Sequence, residues 1–388
     1  MALSITQIPP VLNLAQSPIP ITLSESDTAL IGSSSFQYVL DLYYWDGALT
    51  NSGSSANYTL VKYPNESSVG IFDVSRILNS TLTDLLQANP SNVKYFAADG
   101  YWQFFNGVTY VTGSHIKTNT FKYVDGYSIF QEPISQSIWN KTPHWPLMTD
   151  GPTTQSSFDF NGGTQGVYVG EYGSGSTADR IVYTSIYGSF DYLLTSSTET
   201  SGQIDDYPIG QTADGFPFTA SLDTFTVQAY NGVTPIGTPI TFNLTCNQKY
   251  PNIRIKWKNR YGQFDWFNFN MVNTKTFNVS RSVYQPQIGS WGGSSLSYNG
   301  YDSNNLNYLV DTSETIRVNT DWVDEAYNEI FKQLMVSDEV YWVYDEANNY
   351  LRPLTINTNS ITFQTGVVNK VIQYAFDFTY GQTYKLVI

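Results

Sequence analysis

The sequence has very few of the residues that most often build catalytic and metal-binding sites. Cys246 is its one cysteine, and His115 and His144 are its two histidines. One cysteine cannot close an internal disulfide, so we expect burial or assembly to supply the stability. One thiol and two distant imidazoles also cannot supply the four close ligands of a structural zinc site. The composition therefore predicts neither a disulfide framework nor a zinc centre.

Positive charge is the second scarcity. The chain has 19 Lys and Arg residues against 33 Asp and Glu residues, which gives a net charge of -14. Such a chain repels a phosphate backbone, so we expect no nucleic-acid partner. The sequence has no run of about 18 apolar residues, and its start, MALSITQIPPVLNLAQ, does not resemble a signal peptide. We therefore expect no membrane partner and a chain that is soluble when it is made.

Candidate catalytic groups are isolated. Neither histidine lies beside a nucleophile-elbow pattern, and Cys246 in TFNLTCNQ suits a small buried residue on a strand. Glu171, Asp205 and Asp206 are candidates for the acid pair of a glycosidase, but a chain with 33 acids produces such coincidences. Solvated loop charges are the simpler interpretation.

Motifs for ions and phosphates are incomplete. The stretch YDSNNLN resembles the start of a calcium loop at Asp302, Asn304 and Asn305, but it lacks the later glycine and glutamate, so we interpret it as a turn. The stretch GSWGGSS, at residues 289–295, does not open a helix and cannot serve as a phosphate loop. We therefore predict that the chain is not an enzyme and has no catalytic, cofactor-binding or metal-binding residue.

Aromatic residues are abundant. They make up 16% of the sequence, with 30 Tyr, 22 Phe and 9 Trp, while hydrophobic residues make up 41%. Thr, Val and Ile are also frequent, and turn residues are spread throughout, which favours strands. A chain of 388 residues exceeds one ordinary core. We predict a mostly β protein with two or three β-sandwich-like domains, the C-terminal one with a single flanking α-helix.

Proline-rich segments suggest the domain boundaries. We predict an extended N-terminal arm at residues 1–20, a β-sandwich-like domain at 21–145, a second β domain at 146–275 and a β-sandwich with one helix at 276–388. The boundary near residue 145 falls in KTPHWPLMTDGP, which combines three prolines with an Asp-Gly pair. The arm, IPPVLNLAQSPIPITL, needs a surface on which to lie, because its prolines remove ladder donors.

Two segments have helical patterns. GIFDVSRILNSTLTDLL, at residues 70–86, carries a leucine-rich stripe and can be capped by Asp73 or Ser75. TDWVDEAYNEIFKQLM predicts a helix at about 321–335, capped by Thr320 or Asp321. Its apolar stripe consists of Val323, Tyr327, Ile330, Phe331 and Leu334.

The densest cluster of cations and aromatics is IRIKWKNRYGQFDWFNFN, at residues 253–270. With a period of two, its cations fall on one face of a strand and its apolar residues on the other, so the stretch predicts a β-hairpin with one apolar side. The cations are Arg254, Lys256, Lys258 and Arg260, and the apolar residues are Ile253, Ile255 and Trp257. We interpret it first as scaffolding with cross-strand pairs. A subunit interface is the alternative, ahead of a nucleic-acid groove.

A family resemblance follows from the C-terminal course of the chain. The stretches KWKNRYGQFDWFNF, TIRVNTDW, SDEVYWVY, YLRPLTI and QYAFDFTY resemble virion structural proteins of tailed bacteriophages, in particular tail and baseplate components of phages of Bacteroidetes-type hosts, including crAss-like phages. The likeness covers roughly residues 250–388 and, more loosely, residues 10–80. It implies ring-forming assembly with other virion proteins and copies of itself, and no catalytic residues.

We therefore expect a non-enzymatic structural subunit of a virion, made in the host cytoplasm and working as an oligomeric ring or adaptor in the tail or baseplate. A head decoration or fibre-anchoring protein is one alternative. A carbohydrate-binding module or adhesin, with glycan contacts at Trp139 or Trp291, is another. The expected interface residues are Ile8, Pro9, Pro10, Pro18, Pro20, Arg254, Lys256, Trp257, Lys258 and Trp266.

Overall fold

A computed structural model describes residues 3–47, 55–82, 93–128, 143–158, 163–169, 177–194, 203–210, 215–218, 222–244, 249–345, 350–363, 371–381 and 385–387. These residues form many strands and a few short helices, which confirms the mostly β fold class. The chain divides into two compact units, Met1–Thr245 with Lys258–Asp265, and Cys246–Trp257 with Trp266–Ile388. Within the described ranges, no helix is both long and apolar enough to cross a membrane.

The first part of the first unit is a pair of packed sheets. Its elements are β1 (Ser4–Gln7), β2 (Leu12–Leu14), β3 (Pro20–Ser24), α1 (Thr28–Ile31), β4 (Gln37–Trp45), β5 (Tyr58–Lys62), β6 (Val69–Asp73), α2 (Ser75–Ser80), β7 (Lys94–Phe105), β8 (Tyr110–Thr112), β9 (Ile116–Lys117) and β10 (Phe121–Val124). The sheets have the orders β1-β3-β6 and β2-β10-β7-β4-β5, with β8 and β9 paired to β7. Leu23 and Phe72 of the small sheet join Tyr38 and Phe96 of the large sheet in one buried cluster, so the arrangement is sandwich-like.

A second group of strands completes the first unit. They are β11 (Thr154–Phe158), β12 (Thr164–Val169), β13 (Arg180–Ser185), β14 (Gly188–Leu193), β15 (Gln203–Pro208), β16 (Thr224–Asn231) and β17 (Thr234–Leu244). Five of them form a sheet in the order β11-β17-β16-β13-β14, and β12 pairs with β15. Phe225 stacks on Phe242 at a ring-centroid distance of 5.0 Å, and Tyr183 packs edge-on against Phe216 at 6.0 Å.

The two compact units are larger than the predicted domains, whose bounds stay a prediction. The predicted boundaries after residues 20 and 145 both lie inside the first unit. Met148, in the proline-rich segment at the predicted boundary, is fully buried in a cluster with Leu12, Tyr168 and Tyr261. The amide of Tyr168 also donates to the Pro146 carbonyl at 3.0 Å. The segment therefore contributes an apolar side chain and a backbone acceptor to a core.

The second unit contains the longest helix among the described residues. Its elements are β18 (Ile253–Lys258), β19 (Phe264–Phe269), β20 (Thr274–Tyr284), β21 (Leu306–Asn319), β22 (Val323–Asp324), a 3-10 turn (Glu325–Tyr327), α3 (Asn328–Val336), β23 (Val340–Asp345), β24 (Tyr350–Ile356), β25 (Val371–Ile372), β26 (Ala375–Tyr380) and β27 (Lys385–Val387). The main sheet has the order β19-β18-β23-β24-β26-β21-β20, with β27 paired to β21. Phe331 of α3 packs against Phe267 and Phe376, with ring centroids 5.2 and 5.3 Å away. The helix thus covers one face of this sheet.

The start of this helix differs from the prediction. Residues 323–324 pair with β25, and the carboxylate of Asp324, rather than Thr320 or Asp321, caps the following turn by accepting from the amide of Ala326 at 3.0 Å. The hydroxyl of Thr320 instead accepts from the amide of Tyr374 at 2.8 Å, because Thr320 belongs to the strand end. The predicted apolar stripe is confirmed, since all of its members are buried in one cluster: Val323, Tyr327, Ile330, Phe331 and Leu334.

The helix predicted at residues 70–86 is also shorter than expected. Residues 69–73 form β6, in which Gly70 and Phe72 are buried while Ile71 and Asp73 are exposed, so the period of two governs this part. The helix is limited to α2, where Asp73 accepts from the amide of Ser75 at 3.0 Å. Residues 83–86 lie outside the described residues.

We predict that Phe331→Ala destabilises the second unit by about 3–5 kcal/mol, because a fully buried ring leaves a cavity that its aromatic neighbours cannot fill. Urea unfolding followed by near-ultraviolet circular dichroism measures the loss. Tyr350→Ala is the matched control in the same unit, since Tyr350 is 65% exposed, and we expect it to change stability by about 0.5 kcal/mol or less. Equal losses for the two variants would contradict the proposed position of Phe331 in the core.

Candidate interaction surface

Among the described strands, the longest pairing lies mostly outside the buried clusters. β20 and β21 pair antiparallel from Thr274 opposite Arg317 to Tyr284 opposite Leu306. The structure describes every residue from 271 to 315, and none of them is buried. β20 is also the last strand in the order of its sheet, and among the described strands it pairs with β21 alone. The pair therefore forms a solvent-exposed ribbon at a sheet edge.

The two faces of this ribbon differ in chemistry. Residues directly opposite on paired strands share a face, and Lys275 lies opposite Ile316, which is buried in the core of the second unit. Alternate residues further along the ribbon therefore continue the face that packs in the core. The apolar members of this continuation, named here the apolar strip, are Phe277, Val279, Val283 and Val310. Phe277 is 54% exposed and Val283 is 56% exposed.

The opposite face of the ribbon is polar along most of its length. On β20 it carries Thr276, Asn278 and Ser280, all of which are exposed. The ribbon is therefore amphipathic in the manner of a strand pair with one covered face. A ribbon with both faces in water does not need an apolar face, so the apolar strip suggests that one face is covered.

Cations accompany the apolar strip. Lys275 and Arg281 lie on the same face of β20, and the Lys275 Nζ sits over the Trp342 ring at 4.7 Å from its centroid. Glu314, opposite Phe277, is the acid of that face. In a chain with a net charge of -14, this face is unusually rich in positive charge.

The loop that joins the two ribbon strands has internal order. The amide of Ser290 donates to the Ser297 carbonyl at 2.7 Å, and the indole Nε1 of Trp291 donates to the Ile288 carbonyl at 3.0 Å. The carboxylate of Asp302 accepts from the amide of Asn299 at 3.0 Å. Asp302 therefore closes a turn, as interpreted from the sequence. The loop, named here the tip, lines an open pocket of about 550 Å³.

The N-terminal arm is not a free arm. Its residues form β1, β2 and β3, which pair with other strands of the first unit. Ile8 and Pro18 are exposed, Pro10 is half-buried, and Pro9 and Pro20 are buried. Ile8 and Pro18 are thus the residues of the expected interface in this arm that stay open to a partner.

The hairpin residues expected at an interface are mostly inside the chain. Trp257 is fully buried in the core of the second unit with Ile253 and Ile255, which confirms the predicted apolar side. Arg254 and Trp266 are also buried; the guanidinium of Arg254 lies 4.8 Å from the Trp266 ring centroid and donates to Asn268 Oδ1 at 3.0 Å. Cross-strand pairing of the cations, the scaffolding interpretation, explains this end of the hairpin.

Two cations at the turn of the hairpin at residues 253–270 form ion pairs with acids that are distant in sequence. The Lys258 Nζ contacts the carboxylate of Asp125, and the Arg260 Nε lies 2.5 Å from Asp150 Oδ2. The Tyr261 hydroxyl donates to Asp150 Oδ1 at 2.7 Å. Both cations are buried, and Lys256 is half-buried. Burying a charge without a partner costs several kcal/mol, so these pairs fix the segment Lys258–Asp265 to the rest of the first unit.

Asp265 is buried among neutral partners. Its carboxylate accepts from Gln165 Nε2 at 3.0 Å and from Asn259 Nδ2 at 3.1 Å, and Tyr207 donates to Gln165 Oε1 at 2.8 Å. Burial raises the pKa of Asp265 to about 6, although hydrogen bonds from Thr149, Asn259 and Gln165 act in the opposite direction. Gln165 and Tyr207 lie outside the hairpin, so the period-two pattern of the hairpin did not reveal them.

The two histidines have structural contacts. The ring nitrogens of His144 lie 2.8 Å from the Thr238 carbonyl and 3.0 Å from the Gly151 carbonyl, so the buried ring connects two backbone segments. The Nδ1 of His115 lies 3.2 Å from Asp99 Oδ2, and its ring lies 4.4 Å from the Tyr101 ring.

The other candidate groups from the sequence are dispersed. Asp205 and Asp206 lie on β15 and not in the predicted polar loop. Glu171, Cys246 and Trp139 lie outside the described residues. Within the described part of the chain, no group of three or more His, Cys, Asp or Glu side chains could hold a metal ion.

Comparison with known proteins gives little. No family model matches the chain, and no curated protein matches it. A chimeric titin Z1Z2 functionalised with an exogenous peptide from decorin is 11% identical, covers 64% of this chain and 100% of its own length, and has a TM-score of 0.14. A Salmonella alpha-2-macroglobulin mutant is 7% identical, covers 100% of this chain and 34% of its own length, and has a TM-score of 0.17. Likenesses this low bear on neither the fold nor the function.

We predict that Asp265 makes the stability of the first unit fall as pH rises. Its pKa rises from 3.8 to about 6 on folding, so between these values the folded state holds a proton that the unfolded chain has lost, and stability decreases through that window and is level above it. Urea unfolding at a series of pH values measures the slope. Asp265→Asn should remove this component, whereas Glu66→Gln, at an exposed turn, should leave it. An identical pH profile in wild type and Asp265→Asn would contradict the assignment.

We predict that Asp150→Asn destabilises the first unit by about 3–5 kcal/mol, because it leaves the Arg260 charge buried without its counterion. Asp150→Asn combined with Arg260→Gln should cost less than the single change, since both charges are then gone. The free energy of unfolding in urea measures both. Asp377→Asn is the control, because its pair with Arg317 is long, at 3.7 Å, and exposed; we expect about 1 kcal/mol or less. A double variant worse than the single one would contradict the coupling.

Proposed function

We propose that the chain is a non-enzymatic structural subunit that assembles with copies of itself, and with other virion proteins, as a ring or adaptor in the tail or baseplate of a tailed phage. The apolar strip is the observation that supports assembly. The phage setting rests on the sequence resemblance at residues 250–388 and 10–80.

The strip has the chemistry of a covered sheet face. Burying one Phe or Val side chain stabilises a contact by roughly 1.5–3 kcal/mol. A surface that covers a row of such residues therefore gains binding free energy. Contiguous apolar patches on a protein surface mark interaction sites more often than isolated ones do. A covering subunit explains why one face of the ribbon is apolar and the other is polar.

The edge position of the ribbon supports the same function. An edge strand presents backbone donors and acceptors along its outer side, and these can pair with a strand of another chain. β20 is 11 residues long, which is enough for an extended intermolecular pairing. Assembly by an edge strand adds main-chain hydrogen bonds to the apolar contact.

A second copy of the chain is the partner that the charges favour. Two surfaces of a chain with a net charge of -14 generally repel each other. The strip's face carries Lys275 and Arg281, so it can approach an acidic surface of a neighbour with attraction. Contact between this face and the acidic surface of the next copy is head-to-tail, and such contacts generate rings when the rotation closes.

We predict that Phe277→Ser with Val283→Ser weakens self-association at least about tenfold, because the apolar contact is lost. Sedimentation velocity and size-exclusion chromatography with light scattering measure it over a concentration series. Asn278→Ser is the matched control, since this neighbour of Phe277 points to the polar face of the same strand. Unchanged association of the double-serine variant would contradict the role of the strip.

The phage setting has its own test. Mass spectrometry of purified virions should detect the chain, and particle imaging should give its position and copy number; a ring in the tail requires few copies and a head decoration requires hundreds. Virions assembled with the double-serine variant supplied in place of wild type should lack the chain, while the Asn278→Ser chain should be incorporated. Absence of the wild-type chain from purified virions would refute this setting.

A further inference from the structure

The tip of the ribbon is almost uncharged. Between Arg281 and Asp311, Asp302 is the one acidic or basic residue, in a chain with 33 acids and 19 bases. The same stretch contains Tyr284, Trp291, Tyr298, Tyr301 and Tyr308, with many serines, glycines and asparagines between them. The tip therefore offers aromatic rings, amides and hydroxyls with almost no charge.

Aromatic rings at the tip face water. Trp291 is 64% exposed, Tyr298 is 72% exposed and Tyr301 is 84% exposed, although rings of this size are normally among the more buried side chains. Tyr298 and Tyr301 both line the tip pocket. The face of an aromatic ring is electronegative, so it attracts the weakly positive C–H groups on the flat side of a sugar ring.

Neutral hydrogen-bonding groups line the same pocket. The walls include Gln287, Asn299, Ser297 and Ser303, together with the carboxylate of Asp302. No described residue forms a hydrogen bond with the side-chain amides of Gln287 and Asn299, so their donors and acceptors are open to a ligand. A carboxamide offers two donors and one acceptor side by side, which suits neighbouring hydroxyl groups.

The pocket walls are held in place before any ligand arrives. The Ser290–Ser297 hydrogen bond joins the two sides, and the indole of Trp291 is tied to the Ile288 carbonyl. Gly289 has a φ of +85°, and a Cβ at this position would lie 2.6 Å from the Ser297 carbonyl oxygen, so the close approach of the walls depends on glycine. A preformed site loses less conformational entropy on binding.

From these features we infer that the tip pocket binds a neutral oligosaccharide. The volume of about 550 Å³ lies within the range of small-molecule sites and suits one or two sugar units. The other sugar units of the oligosaccharide would stack on the exposed rings. Among the described residues that line the pocket there is no Lys or Arg, which disfavours phosphate or sulfate ligands. The site is independent of the apolar strip, because the two use different residues of the ribbon.

The test is a panel of immobilised tetrasaccharides, namely maltotetraose, cellotetraose, mannotetraose and N-acetylchitotetraose, with their sulfated forms as charged counterparts. Wild type should bind at least one neutral member, and calorimetry should then give its affinity. Tyr301→Ala should weaken binding about tenfold, which corresponds to ~1.4 kcal/mol for the loss of one stacking ring. Tyr187→Ala, which removes a ring that is 60% exposed in the first unit, should leave binding unchanged.

A second variant tests the site even where single changes are mild. Tyr284 and Leu306 are paired directly, so residues 285–305 can be replaced by an Asn-Gly hairpin turn. This change preserves the paired strands β20 and β21, named here the stem of the ribbon. This variant should lose all binding, whereas Phe277→Ser with Val283→Ser should bind the sugar normally even if it no longer assembles. Three results would overturn the inference: no neutral tetrasaccharide bound by wild type, binding that survives removal of the tip, or binding to the sulfated forms alone.

Discussion

Burial of charge in the segment Lys258–Asp265 is the constraint on which the first unit depends. Lys258, Arg260 and Asp265 lose their hydration when this segment folds, and each must find a partner inside the protein. The partners, Asp125, Asp150 and Gln165, come from parts of the chain a hundred or more residues earlier. A short piece of the C-terminal half thus completes the first unit, which explains why Lys258–Asp265 belongs to it.

Buried ion pairs of this kind define a fold more than they stabilise it. The desolvation of two charges roughly offsets their attraction, so the net gain is small, but removal of one partner is strongly unfavourable. The segment Lys258–Asp265 must provide partners for two buried cations and one buried acid, so it fits a single arrangement. Glycines allow the backbones to approach closely there: a Cβ on Gly126 would lie 2.3 Å from the Arg260 carbonyl oxygen.

The second unit combines a closed core with an open extension of the same sheet. Ile316 and Val318 are buried beneath α3, whereas Phe277, Val279 and Val310 continue that face outside the buried cluster. The ribbon thereby separates two kinds of surface along its length. The stem has an apolar face with cations, suited to an acidic protein neighbour, and the tip has neutral rings and amides, suited to sugars. A subunit that assembles through its stem and presents its tip to a glycan uses both.

The sequence by itself determined the elements whose chemistry is local. Period two in Ile253, Ile255 and Trp257 predicted the apolar side of the hairpin, and the stripe through Phe331 predicted the buried face of the helix, because both depend only on backbone geometry. The tertiary structure decided what depends on distant partners. Asp99-Gly100, a pair typical of turns, lies within β7, where a Cβ on Gly100 would clash with Leu23 at 2.6 Å. The burial of the hairpin cations and the exposure of Phe277 and Val283 in the apolar strip likewise required the fold. Alternation along a strand states which side chains share a face but not whether that face meets a core, an ion partner or water.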